Sequence, residues 1–236
     1  MGIISTHASQ NSTLKCSTSN EIFGCACDAL PIQPTLETRK PSRQGQTPVL
    51  ISIVHDSGYG HTARVAEAVA EGVRQIHGAE VKLFAVADGV DWATLEASHA
   101  IIFGSPTYNG MISARLKQFF EDSTKAAWTA LKWRNKIAAG FTNSGAQHGD
   151  KLNSLVSMAL FAAQHGMIWV GLDLMPGNNS STASADDLNR LGSWLGVMTH
   201  ANVDQAPDVA PPASDLMTAQ YLGRRVATIA GRLQPA

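Results

Sequence analysis

The sequence predicts an α/β protein with a doubly wound fold, in which helices cover both faces of a five-stranded parallel sheet. Short apolar segments rich in β-branched residues alternate along the chain with segments of helical periodicity. Loops rich in Gly, Ser, Thr and Asn follow the first, third and fourth apolar segments. In folds of this class ligands bind beyond the carboxyl ends of the strands, so these three loops form the predicted site.

The five predicted strands are short apolar runs bounded by turn residues, as expected for strands that are buried on both faces. They cover residues 49–55, 81–86, 99–103, 137–141 and 167–170. A long stretch rich in Gly, Asn and Ser, residues 172–212, separates the last of them from the final helix.

Four segments have the spacing of a helix with one apolar face. The first ends at Gly78, and the second and third are predicted to be capped by Ser113 and Asp150. The predicted inward positions are Val65, Val69, Val73 and Ile76 in the first helix, Leu116, Phe119 and Phe120 in the second, Leu152, Leu155, Val156 and Leu160 in the third, and Leu216, Leu222, Val226 and Ile229 in the fourth.

Residues 1–46 are predicted to be a disordered or non-core extension, and residues 47–236 to be the folded domain. The extension is rich in Ser, Thr, Asn and Gln and has no sustained period. It lacks the apolar stretch of a secretory signal, and its first six residues match a myristoylation pattern. All three cysteines lie within it, so we expect no disulfide framework in the domain and a cytoplasmic location.

Composition excludes several classes of partner. The net charge of -1 offers no electrostatic argument for binding nucleic acid or an anionic membrane surface. No apolar run approaches the ~20 residues of a membrane helix, so no transmembrane segment is predicted. The sequence also lacks a nucleoside-triphosphatase loop, the serine elbow of α/β hydrolases and a metal-ligand spacing of histidines.

The first loop has the composition of an anion site. It comprises Ser57, Gly58, Tyr59, Gly60, His61 and Thr62 and runs directly into a helix, whose N-terminal N–H groups attract a phosphate. Hydroxyl groups at both ends of the loop suit a monophosphate. Two alternatives remain: an ordinary glycine-rich turn, and a relaxed dinucleotide fingerprint, Gly58-x-Gly60-x-x-Ala63, with Asp88 as a late acidic residue.

The second and third loops have the composition of a rim around a planar ligand. Pro106, Thr107, Tyr108, Asn109 and Gly110 combine a restricted backbone with an aromatic face and an amide. Asn143, Ser144 and Gly145 are predicted to add backbone donors from the third loop. His165 lies just before the fifth strand, and on residues alone it is interpreted as a packed polar group.

Three stretches taken together resemble a known family. In order and spacing, residues 57–62, 104–110 and 164–167 are similar to the flavodoxin-like NAD(P)H:quinone oxidoreductases of the WrbA type, within the NADPH-dependent FMN reductase family. The resemblance extends over about residues 48–232. It implies FMN as the cofactor, NAD(P)H as the co-substrate, a quinone-like acceptor and a homodimer or homotetramer.

The resemblance also implies roles for individual residues. Residues 57–62 would hold the FMN phosphate, residues 106–110 would line the ring and ribityl chain, and residues 143–145 would cover the polar edge of the ring. His165 would lie near the ring, contributed across a subunit boundary, and either His165 or Tyr108 would donate a proton to the acceptor. Gln147, His148 and Gly149 depart from the glycine-rich third loop of the family.

Two other functions remain open at this stage. A flavodoxin-type electron carrier without its own substrate shares the predicted fold, although the small net charge provides little of the field that steers carriers to their partners. A scaffold that has lost FMN is the other alternative, and the hydroxyl groups of Ser57 and Thr62 count against it.

Overall fold

The computed structural model describes residues 48–233. The extension predicted for residues 1–46 lies outside the described residues, so that prediction remains a prediction. Among the described residues, no helix has both the length and the apolar character needed to cross a membrane.

A parallel sheet forms the centre of the domain, as predicted. The strands are β1 (Val49–His55), β2 (Ala79–Ala85), β3 (Ala100–Tyr108), β4 (Met111–Ile112), β5 (Ile137–Ser144), β6 (Ile168–Trp169) and β7 (Val197–His200). The strand order is β2-β1-β3-β5-β6, so β1 lies between β2 and β3. β4 pairs antiparallel with β3, and β7 pairs in parallel with β5.

The fifth position in the sheet differs from the prediction, because two short strands share it. Ile168 and Trp169 of β6 pair with the first two residues of β5, whereas β7 pairs with residues 141–144 of β5. The 27 residues 170–196 leave the sheet between them and return to it. β7 was not predicted, because it is only four residues long and lies within the Gly-, Asn- and Ser-rich stretch.

Helices cover both faces of the sheet. They are α1 (His61–Arg74), α2 (Trp92–Ala97), α3 (Ala114–Ser123), α4 (Lys151–Gln164) and α5 (Ala213–Arg232). α1 and α5 pack on one face, and α2, α3 and α4 contribute to a second core cluster on the other. A short 3-10 turn (Val86–Asp88) follows β2, and a π-helical turn (Thr124–Trp128) follows α3.

The predicted inward faces are confirmed for α1 and α3, and for α5 the four predicted positions are buried or pack against the core. The prediction is wrong for three of the four positions in α4. Leu152, Val156 and Leu160 are 55%, 37% and 62% exposed, and only Leu155 is buried. Apolar residues occur on both sides of this helix, so helical periodicity alone did not distinguish its two faces.

The predicted helix caps have different outcomes. Ser113 is confirmed, since its Oγ accepts a hydrogen bond from the backbone N–H of Leu116 at 3.2 Å. Asp150 precedes α4 in the left-handed region, with φ of 52°, and its side chain makes no capping hydrogen bond. Its predicted capping role is therefore wrong, and α4 begins from a backbone turn instead.

Candidate functional site

The first loop places unpaired donors at the start of α1. The backbone N–H groups of His61 and Thr62, and the Thr62 hydroxyl, have no hydrogen-bond partner among residues 48–233. The first turn of α1 also contains no acidic side chain. N–H groups at a helix N-terminus carry partial positive charge, so this turn is suited to bind a phosphate.

Ser57 and Gly60 shape this phosphate loop. Ser57 Oγ accepts hydrogen bonds of 3.1 Å from the backbone N–H groups of Gly60 and Ala63, which folds the loop back over the start of α1. Gly60 has φ of 91°, and a Cβ atom built on it would lie 2.5 Å from Cγ of Pro207. Only glycine therefore fits at this position without a shift of its neighbours.

A segment that was not assigned a role from the sequence lies over the phosphate loop. We call residues 201–210 the cover segment. His61 Nε2 lies 2.8 Å from the carbonyl oxygen of Gln205, and a Cβ built on Gly145 would lie 2.4 Å from Cγ1 of Val203. The segment thus approaches the first and third loops and brings them to one site. Its sequence has no periodic signal, so only the tertiary structure shows this position.

The second loop is largely not a loop. Pro106, Thr107 and Tyr108 are the last residues of β3, and Asn109 and Gly110 form the two-residue turn into β4. Asn109 has φ of 49° and Gly110 has φ of 78°, the left-handed values of a type I′ hairpin turn, for which Asn-Gly is the preferred pair. The hairpin presents Tyr108 beside the phosphate loop.

Two tyrosines stand at the mouth of the site. Tyr59 is 78% exposed and Tyr108 is 40% exposed, and their rings meet edge to face with centroids 6.4 Å apart. A Cβ on Gly58 would lie 2.5 Å from the Tyr108 hydroxyl, so the hairpin and the phosphate loop are in close approach. Partial burial, together with Tyr59 and Asp56 nearby, raises the pKa of Tyr108, which keeps its hydroxyl protonated at neutral pH.

Buried hydroxyl groups hold β3 against β5 below the hairpin. Thr107 Oγ1 lies 2.7 Å from Thr142 Oγ1 and 2.8 Å from Ser154 Oγ, and Thr142 Oγ1 donates to the carbonyl oxygen of Ser105. The Thr107 side chain therefore points into the protein, and only its backbone is available to a ligand. Thr142 and Ser154 had no signal in the sequence, because serine and threonine occur in many strands and helices.

The third loop is held by two residues that sequence reasoning also missed. Thr199 of β7 donates from Oγ1 to Oδ1 of Asn143 at 2.8 Å, which fixes the orientation of the amide. Lys151 Nζ donates to Ser144 Oγ at 2.9 Å and to the carbonyl oxygen of Ala146 at 2.7 Å. The Lys151 side chain is almost fully buried, and burial lowers its pKa to about 8.

The structure does not bring His165 to this site. It follows α4, which runs back from the carboxyl end of β5, and Gly166 beside it accepts a hydrogen bond from the N–H of Asn135, just before β5 begins. β5 is eight residues long and rises ~3.3 Å per residue, so His165 at its amino end lies about 23 Å along the sheet from the third loop at its carboxyl end. Its side chain is 2% exposed and stacks on Trp133.

Within its own chain His165 therefore lies away from the site, and its predicted position near a ring across a subunit boundary stays a prediction. The imidazole Nε2 lies 3.0 Å from Ser123 Oγ, and its Nδ1 has no hydrogen-bond partner among residues 48–233. Burial lowers the pKa of His165 to about 4, so the ring is neutral at pH 7. These contacts describe a packed polar group of the core, which is the interpretation that the residues alone favoured.

We expect His165→Gln to change acid stability rather than turnover. The folded-state pKa of about 4 lies below the ordinary value of 6.5. Between pH 4 and 6.5, His165 is therefore protonated in the unfolded chain but neutral in the folded protein. The wild-type free energy of unfolding should then fall as pH drops from 6.5 to 4, by at most roughly 3 kcal/mol from this group. Urea unfolding at several pH values should show a shallower fall in His165→Gln.

In the same variant, NAD(P)H should reduce the bound FMN at pH 7 at a rate within about twofold of the wild-type rate. A loss of turnover of more than tenfold with an unchanged acid stability profile would instead place the imidazole at a flavin, including that of a neighbouring subunit.

The residues present fit FMN. The first turn of α1 offers unpaired backbone and hydroxyl donors suited to a phosphate, and the exposed rings of Tyr59 and Tyr108 beside it are suited to a planar ring system. Within the described residues, no group of three potential ligands is arranged to hold a metal ion. The fold and the site define a flavodoxin-like, FMN-binding α/β protein.

Comparison with known proteins gives the family. The model of the NADPH-dependent FMN reductase family matches residues 92–179. Flavodoxin FldP of Pseudomonas aeruginosa is 40% identical over 181 residues, covering 77% of this chain and 96% of that protein. An NAD(P)H dehydrogenase (quinone) of Archaeoglobus fulgidus is 33% identical over 207 residues, covering 78% and 98%.

A solved structure agrees with these relatives. The flavodoxin, WrbA-like protein from Agrobacterium tumefaciens is 36% identical, with a TM-score of 0.60, and the match covers 79% of this chain and 99% of that one. The chain belongs to the flavodoxin-like oxidoreductase family of the WrbA type. Its cofactor is FMN, and NAD(P)H is the reductant of the family.

Proposed function

We propose that this protein transfers two electrons from NAD(P)H, through FMN, to a quinone-like acceptor. The observation that carries the proposal is the donor-rich first turn of α1 beside the exposed Tyr59–Tyr108 pair. Relatives named NAD(P)H dehydrogenase (quinone) support this choice of acceptor. Bound FMN supplies the redox chemistry, accepting a hydride and passing two electrons to the acceptor.

The protein's own residues supply binding and orientation. Ser57, Thr62 and the N–H groups of α1 hold the phosphate, and the backbone of the β3–β4 hairpin and Asn143 line the ring. Lys151 and Thr199 keep the third loop in place by the hydrogen bonds described above. Reduction of a quinone also consumes two protons, and the exposed hydroxyl of Tyr108 beside the first loop supports a role as the donor of one of them.

The test of this function is the visible spectrum of the FMN-loaded protein under anaerobic conditions. NADH or NADPH should bleach the flavin bands in one step, and an added benzoquinone should restore them.

A second function is favoured by the relative named flavodoxin FldP, namely that of an electron carrier. In a carrier, neither NADH nor NADPH would reduce the flavin, and titration with a chemical reductant would show a stable one-electron-reduced flavin.

Tyr108→Phe should lower kcat with a quinone by roughly tenfold or more, because general acid catalysis commonly contributes 10²–10⁴-fold. The dissociation constant of FMN should stay within about threefold, since the aromatic face remains. Stopped-flow measurements of the two half-reactions separate these effects, and reduction by NADH should be unchanged. Tyr221→Phe is the matched control, because Tyr221 lies on α5 and its hydroxyl donates to Asp173.

If Tyr108→Phe oxidises with quinone at the wild-type rate, the proton comes from another donor, such as solvent. The proposed role of Tyr108 would then be withdrawn while FMN binding and the overall reaction stand.

We also propose that the protein self-associates through α4. Leu152, Val156 and Leu160 recur every four residues and are exposed, which forms an apolar stripe along one face of the helix. Met111 of β4, beside α4, is 54% exposed as well. A second copy of the chain is the occupant that the family resemblance favours.

Leu152→Glu combined with Leu160→Glu should convert the assembly to a smaller species, because burying two carboxylates in an apolar interface is costly. Sedimentation velocity at micromolar concentration would measure this change. Leu233→Glu introduces the same charge at an exposed site near the end of α5 and should leave the assembly intact. An unchanged sedimentation coefficient in the double variant would remove α4 from the interface.

A further inference from the structure

Lys151 is a buried cation in the first turn of α4, directly behind the third loop. Its side chain is 1% exposed, and a lysine is rarely buried to this extent unless a carboxylate pairs with it. Lys151 forms no ion pair with a carboxylate of residues 48–233, and its Nζ donates instead to two neutral oxygens, Ser144 Oγ and the carbonyl oxygen of Ala146. A charge removed from water without a counter-ion costs free energy, so its presence calls for an explanation.

The charged groups that face Lys151 do not neutralise it. Asp215 is the carboxylate that faces it from α5, but this carboxylate already has a full set of partners. Arg190 donates to both oxygens of Asp215, at 2.7 and 2.9 Å, and the backbone N–H of His200 donates to Oδ2 at 2.8 Å. The buried group of Lys151, Arg190 and Asp215 therefore carries one net positive charge.

The remaining titratable groups nearby do not change this balance. Burial, followed by the charge of Lys151, lowers the pKa of His200, so its imidazole is neutral at pH 7. His148 and Asp150, in the turn before α4, have side chains that are 86% and 74% exposed. Water and salt screen exposed charges much more than buried ones, so the field behind the third loop is that of the buried lysine.

The third loop directs an unpaired N–H group away from Lys151. The backbone N–H groups of Ala146 and Gln147 have no hydrogen-bond partner among residues 48–233. In a trans peptide the C=O and N–H groups point in opposite directions. Because the ammonium binds the carbonyl oxygen of Ala146, the N–H of Gln147 in the same peptide points away from it. A cation on the carbonyl oxygen polarises that peptide and strengthens its N–H as a donor.

This loop lies at the carboxyl edge of the sheet, beside the other two loops of the site. Asn143, just before it, pairs with Pro106 of β3, and Gly145 is in close approach to Val203 of the cover segment, which also reaches the first loop. A hydride from NAD(P)H brings two electrons and one proton to the ring of FMN. The ring therefore gains one negative charge unless a second proton follows from solvent.

We propose that Lys151 is a positioning residue whose charge, acting through the third loop, makes the protein bind reduced FMN more tightly than oxidised FMN. The inference rests on the proposed function, because that function puts the ring of FMN against this loop. The attraction appears only when the ring has gained negative charge, and water screens it little in a buried setting. Charge near the ring is one means by which a protein tunes a flavin, and this charge raises the midpoint potential of the bound cofactor.

The test measures the two-electron midpoint potential of bound FMN at pH 7 under anaerobic conditions, against that of free FMN. Lys151→Gln should lower the ratio of the affinity for reduced FMN to that for oxidised FMN by tenfold or more, which is a fall of about 30 mV. A loosened loop alone would weaken both states alike and leave the potential unchanged. Lys136→Gln is the matched control, because Lys136 donates to the carbonyl oxygens of Glu96 and Ser98 just before β5, at the opposite end of the sheet.

A second measurement needs no variant that removes the lysine. Burial lowers the pKa of Lys151 to about 8, so the ammonium is present at pH 7 and is lost as the pH rises through this value. The preference of wild-type protein for reduced FMN, relative to free FMN at the same pH, should therefore decline between pH 7 and about pH 10. Lys136→Gln should show the same decline, whereas Lys151→Gln should give a flat profile.

An affinity ratio in Lys151→Gln within about twofold of that in Lys136→Gln overturns the inference alone, and Lys151 then only holds the loop. Should Lys151→Gln fail to fold, a wild-type preference that stays constant from pH 7 to about pH 10 overturns it in the same way. Absence of FMN binding by the wild-type protein overturns the proposed function, and the inference with it.

Discussion

Ser57→Ala combined with Thr62→Val is expected to weaken FMN binding by about 100-fold or more. Each substitution removes a hydroxyl at the phosphate, and a hydrogen bond to a charged group contributes about 1.5–3 kcal/mol. The Thr62 hydroxyl has no other partner among residues 48–233, and valine keeps the shape of this buried side chain. Ser57 also holds the N–H groups of Gly60 and Ala63, so its loss loosens the loop.

Titration of apo-protein with FMN, followed by flavin fluorescence, measures this effect, and circular dichroism checks that the fold is retained. The matched control is Ser157→Ala, which removes a hydroxyl bonded only to its own helix, at Asn153. If the double variant binds FMN as tightly as the control, the phosphate does not lie at the start of α1, and the assignment of residues 57–62 fails.

Gly223→Ala is expected to lower the free energy of unfolding by about 3 kcal/mol or more. A Cβ at this position would lie 2.0 Å from the backbone carbonyl oxygen of Val69, and Gly72 on the opposing helix meets the carbonyl oxygen of Gln220 in the same way, at 1.9 Å. α1 and α5 thus pack backbone to backbone. Because backbone atoms cannot rotate aside, α1 must move, and with it the phosphate loop.

Urea unfolding followed by circular dichroism would measure the loss of stability. Met217→Ala lies on the same helix at a position that is 44% exposed and should change the free energy of unfolding by only about 0.5 kcal/mol. Should Gly223→Ala prove too unstable for urea titration, its FMN-loaded form can be compared by its melting temperature. A melting temperature equal to that of Met217→Ala would contradict the close packing of α1 and α5.

The sequence by itself determined the fold class and the position of the glycine-rich loop at the start of α1. β1 was predicted with its observed bounds, because a buried parallel strand leaves a continuous apolar run ended by turn residues. The loop after it could be found because Gly, Ser and Thr at the start of a helix are a local requirement of anion binding. Ser113 was found for the same reason, since a helix cap depends on residues three apart.

Only the tertiary structure decided which of these elements meet. Trp169 and Val197 occupy one sheet position although 27 residues separate them, and no local pattern encodes that pairing. His165 was separated from the site by the direction and length of α4. Helical periodicity identifies a face, but a helix that is apolar on two sides needs its neighbours to determine which side is buried. The positions of the cover segment and of Lys151 likewise depend on contacts between residues distant in sequence, which composition and spacing do not record.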